Sequence, residues 1–163
     1  TGEVACFGAD VYEALLKAMI STGFVFPKKN ILVTIGRVED KVEFLPAAKK
    51  LIKLGYKLFA TQGTHNFLKE HDISSTLLHK AHSSKQPNLI NYLRGKKLDL
   101  VINIPKSLSS HDDITDGYLI RRRAIDSNIP LITNIQIATR IVEALSRYDI
   151  DKLAIKPWSE YVG

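Results

Sequence analysis

The sequence predicts an α/β protein, a three-layer α/β/α sandwich built on a five-stranded parallel sheet. Two observations predict it. Short apolar runs rich in β-branched residues alternate along the whole chain with stretches of helical periodicity, the pattern of strand-helix-strand units joined by right-handed crossovers. The strongest run, LDLVINI at Leu98 to Ile104, is apolar on both faces, as a strand covered by helices on either side has to be.

In chain order, Asp10 is placed to cap a first helix with Val11, Leu15, Leu16, Ala18 and Met19 at helical spacing, ending near Ser21-Thr22-Gly23. Phe24 to Lys29 is an entry loop, because Pro27 fits neither helix nor strand interior. Ile31 to Ile35, ILVTI, is the first strand, closed by Gly36. From Asp40, Val42, Leu45, Ala48, Leu51, Ile52 and Leu54 fall mainly on one stripe of a second helix, which Gly55 terminates. YKLFA is the second strand. A short helix around Asn66 to Glu70, a weak strand at Ser75 to Leu78, a polar loop from His79 to Gln86 and a helix from about Pro87 to Arg94 lead to the Leu98 strand. The polar loop Pro105 to Thr115 and a helix from about Asp116 to Ser127 precede the last strand, Ile129 to Thr133. Asn134 opens a final helix with Ile137, Ile141, Val142 and Leu145 inward, and Trp158 and Tyr161 of the tail are expected to pack on the body.

The chain centres on YKLFATQGT, Tyr56 to Thr64, where a buried strand breaks into Thr61-Gln62-Gly63-Thr64 and a helix. Thr64 suits that helix's N-cap, and free N–H groups, two hydroxyls and the positive helix end together suit an anion. The other predicted strand ends carry Lys41, Lys80, Lys85, Lys106, Ser83, Ser84, Asn103 and Asn134, and few carboxylates. Ligands of such sheets sit beyond the carboxyl ends of the strands, so this inventory points to an anion rather than a metal.

Composition narrows the class. With 163 residues, 45% of them hydrophobic, the chain suits one domain, 1–163, in which 1–29 is a leading helix and linker. The formal charge of +6 suits small anions or nucleic acid, but Lys28-Lys29, Lys49-Lys50, Lys96-Lys97 and Arg121-Arg122-Arg123 are scattered, which argues against specific nucleic-acid binding. One cysteine, Cys6, excludes an intrachain disulfide framework, and no apolar run is long enough to span a membrane. The five histidines, His65, His71, His79, His82 and His111, lack metal-ligand spacing, so no metal is assigned. A start at Thr1 without Met is expected of a piece of a larger polypeptide.

Over essentially its whole length the chain resembles the C-terminal regulatory domain of the carbamoyl phosphate synthetase large chain, whose fold is shared with methylglyoxal synthase. The stretches TGEVACFG, PKKNILVTIG, LGYKLFATQGT, DLVINIP and IRRRAIDSNIPLITN carry the resemblance. It implies a methylglyoxal synthase-like fold and a domain that performs no chemistry and needs no cofactor of its own. Such a domain binds an allosteric effector and adjusts the rest of the large chain, an ATP-dependent ligase of pyrimidine or arginine biosynthesis. A cytoplasmic location is implied, with a mitochondrial one left open. Residue by residue, the resemblance implies effector contacts from Lys41, Thr61, Thr64, Lys80 and Asn103. Pro105 stands where a bacterial member has threonine, so that contact is lost or supplied by Lys106 or Ser107. Members activated by N-acetylglutamate carry tryptophan at the position of Lys80 and asparagines at those of Lys106 and Gly117. Lysine at 80 and 106 implies instead a phosphorylated effector such as UMP, UTP or phosphoribosyl pyrophosphate, with an N-acetylglutamate-responsive regulatory domain as the alternative.

The enzyme alternative is a methylglyoxal synthase-type lyase, which takes a catalytic carboxylate from a glycine-rich segment after its third strand. Here that segment is HKAHSSKQPN, with neither acid nor glycine. Asp112, Asp113 and Asp116 are expected to belong to a later loop and not to restore it. The arginine run 121–123 is read as a helix face or an interface with the rest of the synthetase rather than an effector contact.

Overall fold

The computed structural model describes residues 3–80, 83–106 and 116–161. Five parallel strands form one sheet: β1 (Asn30–Ile35), β2 (Lys57–Ala60), β3 (Thr76–Leu77), β4 (Leu100–Ile104) and β5 (Leu131–Ile132), in the order β3-β2-β1-β4-β5. Six helices surround it: α1 (Val11–Ser21), α2 (Val38–Lys53), α3 (Gln62–Glu70), α4 (Leu89–Arg94), α5 (Asp116–Asp126) and α6 (Ile135–Arg147). β3 and β5 are shorter than the predicted strands. They are the sheet edges, where only one neighbour supplies the ladder that defines a strand.

Side-chain alternation divides the interior in two. Ile31, Val33, Ile35, Leu58, Ala60, Leu100, Ile102 and Ile104 face α1, α2, α3 and α6. Leu32, Phe59 and Val101 face α4 and α5, packing with Leu89, Leu93, Ile120 and Ala124. Both faces of the central strands are therefore covered, and β4 is buried at every residue.

Two helix stripes differ from the predicted ones. In α2 the buried residues are Asp40, Phe44, Ala47, Ala48 and Leu51, whereas Val42, Ile52 and Leu54 are exposed. The stripe is turned so that two alanines allow close approach and Phe44 fills the space beside them. Pro46 then lies on the outer side, where the carbonyl it leaves without an i→i−4 partner, that of the exposed Val42, reaches water. In α6 the inward set is Ile135, Ala138, Ile141, Val142, Ala144 and Leu145, and Ile137 is half exposed, on the flank toward α1.

The predicted stops hold where their chemistry is local. Asp10 accepts from the N–H groups of Tyr12 and Glu13 at the start of α1. Asn134 accepts from Ile137 N–H at the start of α6. Gly55 closes α2 at φ +87°, a left-handed conformation that costs glycine little. In the tail, the Trp158 ring meets Phe7 edge-on at 4.5 Å, and Lys17 Nζ donates to the Tyr161 hydroxyl over 2.8 Å. A Lys50–Glu143 ion pair, extended by Arg147, links α2 to α6.

Candidate functional site

All five strands end at the same edge of the sheet, and the strand order reverses direction between β1 and β4. From β1 the chain goes by α2 to β2 on one side, and from β4 by α5 to β5 on the other. The two connections leave a crevice at the carboxyl ends.

Register places a polar row there. Asn103 of β4 lies opposite Thr34 of β1, and Ala60 of β2 opposite Val33, so Thr61 follows directly beside Thr34. The Thr61 hydroxyl donates to Thr34 Oγ1 over 3.3 Å. Asn103 is 2% exposed, and its Oδ1 accepts from Arg121 Nη1 at 2.7 Å. Thr61, Thr34 and Asn103 share the sheet face of Leu32, Phe59 and Val101, the face covered by α4 and α5, so Arg121 meets the row from above. Its helix is held there by Ile120 and Ala124, both buried against that face.

The start of α3 differs from the expectation for Thr64. Thr61 is the N-cap, with extended backbone at φ −76°, ψ 160°, and its carbonyl accepts from Thr64 and His65 N–H. Thr64 is inside the first turn, 2% exposed, and its hydroxyl accepts from Ile35 N–H at 3.0 Å and reaches the Ile35 carbonyl at 3.4 Å. Thr64 thus ties the end of β1 to α3. Because its hydroxyl serves the strand, the Thr61 hydroxyl is left on the crevice side. Lys41 Nζ donates to the Gly63 carbonyl over 3.1 Å and lies 5.8 Å from the Phe67 ring centroid, against this same turn.

Lys80 follows β3. The backbone around it is held by Asn88, whose Nδ2 donates to the Lys80 and Ser83 carbonyls at 3.1 and 2.9 Å. The Lys80 side chain is 71% exposed, and its ammonium pairs with Asp116 Oδ2 at 2.9 Å. The hydrogen bond that Lys80 donates to this carboxylate raises the lysine's pKa above its ordinary value. Asp116 opens α5, at the predicted helix start, but instead of standing apart from the segment after β3 it packs against it, 36 residues upstream.

Lys106 is drawn elsewhere. Gly36 packs so tightly on the Lys106 backbone that a Cβ at 36 would stand 2.7 Å from its nitrogen, and Gly36 N–H donates to the Ile104 carbonyl. The loops after β1 and β4 are pinned together. Lys106 with Arg37, Asp40 and Asn134 lines a separate cleft of ≈ 290 Å³. Ser107, His82, His111, Asp112 and Asp113 lie outside the described residues.

The structure therefore brings Thr61 and Asn103 together through Thr34, sets Lys41 and Thr64 on the adjoining turn, and ties Lys80 to the helix that carries Arg121. Thr34, Arg121 and Asp116 are missing from the predicted set. Thr34 had a signal, being the one polar residue in ILVTI. Arg121 had none, since nothing in a run of three arginines tells which one faces the sheet.

Comparison with known proteins gives concordant findings. The family described as MGS-like domain matches residues 43–133. The Neurospora crassa multifunctional protein pyr-3 is 48% identical over 155 residues, which are 91% of this chain and 8% of that protein. Human mitochondrial carbamoyl-phosphate synthase [ammonia] is 40% identical over 151 residues, 90% of this chain and 10% of that one. The chain thus spans about a tenth or less of the length of these curated relatives. Among solved structures, methylglyoxal synthase from Elizabethkingia anophelis superposes with a TM-score of 0.54 at 16% identity, over 72% of this chain and 79% of that one, a likeness of fold.

Proposed function

Because the chain belongs to the MGS-like domain family, we propose that it is the effector-binding domain of a carbamoyl phosphate synthetase, taking a phosphorylated small molecule at the carboxyl ends of β1, β2 and β4. The observation that carries this reading is the polar row at the strand switch, where Thr61 bonds Thr34, Thr34 lies opposite Asn103 in register, and Asn103 accepts from Arg121. Hydroxyl and amide groups beside the N-terminus of α3 are suited to phosphoryl oxygens, and the Arg121 guanidinium holds the amide. Lys41 and Lys80 add cations at the two flanks, and the effector is UMP, UTP or phosphoribosyl pyrophosphate. The remainder of the synthetase chain is the partner that receives the signal. Effector binding has to favour one of its states over the other by about 1 to 3 kcal/mol to regulate it.

A regulatory rather than catalytic role is supported by the state of Asp116, the acid that meets the segment after β3 among the described residues. Asp116 is engaged with Lys80, whereas proton transfer to a triose phosphate needs a carboxyl free to exchange its proton with substrate. Dihydroxyacetone phosphate is accordingly expected to remain unconverted. Turnover that disappears in Asp116→Asn would establish the lyase instead.

The test of the effector is a thermal-shift titration with UMP, UTP, phosphoribosyl pyrophosphate and N-acetylglutamate at matched ionic strength. Saturable stabilisation by one of the phosphorylated ligands is expected. Stabilisation by N-acetylglutamate alone would replace the phosphate assignment with a carboxylate one.

A further inference from the structure

A buried carboxamide has one end that accepts and one that donates, and its neighbours decide which end a ligand meets. For Asn103 the neighbour is Arg121. A guanidinium only donates, at any pH the protein meets, and its Nη1 stands 2.7 Å from Oδ1. The Oδ1 end is thereby held toward α5 and the Nδ2 end is turned away from it. With 2% of Asn103 exposed, solvent has little access to compensate a reversed amide. Of the row's side chains, hydroxyls serve as donor or acceptor by rotating, so Asn103 is the member whose polarity has to be imposed.

Resting on the effector-site reading above, we propose that Arg121 is the positioning residue that sets the site's specificity. By holding the Asn103 amide donor-outward, it makes the crevice select an oxyanion that offers only acceptors at that point, such as a phosphomonoester dianion. Arg121 acts through Asn103 rather than by touching the ligand. A ligand that presents an O–H there faces a donor with a donor and is disfavoured.

Sulfate and inorganic phosphate are the probes, since sulfate carries only acceptors and the phosphate dianion keeps one O–H. Their dissociation constants are measured by displacement of UMP at pH 7.5 and equal ionic strength. The wild-type chain is expected to bind sulfate at least as tightly as phosphate. Arg121→Ala releases the amide and is expected to shift the sulfate-to-phosphate preference about five-fold toward phosphate, the scale of one hydrogen bond. Arg121→Lys retains a donor toward Oδ1 and restores the preference. Equal weakening of both anions, or no change, marks Arg121 as merely structural and overturns the proposal. Asn103→Asp keeps the Arg121 contact but replaces the donor end with an acceptor. It is expected to abolish UMP and sulfate binding, and undiminished binding overturns the proposal even where Arg121→Ala does not fold. If UMP, sulfate and phosphate all fail to bind the wild-type chain, the effector site itself falls; if they bind with an unaltered ratio, only the role of Arg121 does.

Discussion

Asp116→Asn separates a ligand-binding role for Lys80 from a purely structural one, because it removes the internal anion that occupies that lysine. The pair is 2.9 Å long, with the lysine 71% and the aspartate 31% exposed. Its Coulomb energy is about 1.4 kcal/mol in bulk water, and side-chain entropy and salt reduce exposed pairs of this kind to about 0–1 kcal/mol. An anionic ligand that recruits Lys80 has to displace Asp116 and forfeits that amount. Asp116→Asn is therefore expected to tighten UMP binding by roughly two- to five-fold, the upper end of that range, while lowering stability by a few tenths of a kcal/mol. Lys80→Ala is expected to weaken UMP by roughly 1.5 to 3 kcal/mol, the scale of a charge-assisted hydrogen bond. In the double variant the gain from Asp116→Asn vanishes, since there is no longer a lysine to release. Isothermal calorimetry on the four proteins at fixed ionic strength, with denaturant melts as the folding control, completes the cycle. Weaker UMP binding in Asp116→Asn, or the same gain with and without Lys80, would show that Asp116 does not hold Lys80 back from the ligand.

Three further outcomes follow from other contacts. Thr64→Val keeps the side-chain shape but leaves the buried Ile35 N–H without its acceptor, which is expected to cost about 1 to 3 kcal/mol in urea unfolding; a loss below about 0.5 kcal/mol would show that the β1–α3 tie is dispensable. Gly36→Ala forces a Cβ into the Lys106 backbone at 2.7 Å and is expected to lower stability by about 1 to 3 kcal/mol, read as a fall in Tm; an unchanged Tm would mean that the loops part freely. The hydrogen bond from Lys50 and that from Arg147 hold the Glu143 carboxyl below its ordinary pKa, and the Arg37 fork does the same for the buried Asp40. At acid pH the folded protein therefore binds fewer protons than the unfolded chain. The stability these carboxylates contribute is full above about pH 5 and is lost as pH falls through their depressed values. Glu143→Gln is expected to flatten the decline of Tm between pH 5 and 3, and an identical decline in the variant would remove Glu143 from the account.

Features set by short-range chemistry are legible along the chain. Asp10 and Asn134 cap α1 and α6 because an oxygen one or two bonds from the backbone reaches the first free N–H groups of its own helix. Gly55 ends α2 for an equally local reason, and LDLVINI declares itself as the doubly covered central strand by composition alone. Of the five residues implied as effector contacts, Thr61, Lys80 and Asn103 lie at strand ends or in the adjoining loops, Thr64 in the first turn of α3 and Lys41 on α2. Tertiary structure alone decided their tasks. Thr61 and Thr64 are three residues apart and look equivalent in sequence, yet one faces the crevice and the other bonds β1, because α3 begins at Gln62 and the helical turn carries Thr64 beneath it. The stripes of α2 and α6 turned away from the predicted ones for a related reason: burial follows close approach, which favours Ala47, Ala48 and Ala138 over more hydrophobic neighbours. The pairing of Thr34 with Asn103, of Asn103 with Arg121 and of Lys80 with Asp116 spans 69, 18 and 36 residues of chain. Such contacts leave no periodicity in the sequence, because they arise only when strand order and helix rotation have been chosen by the packing of the whole core.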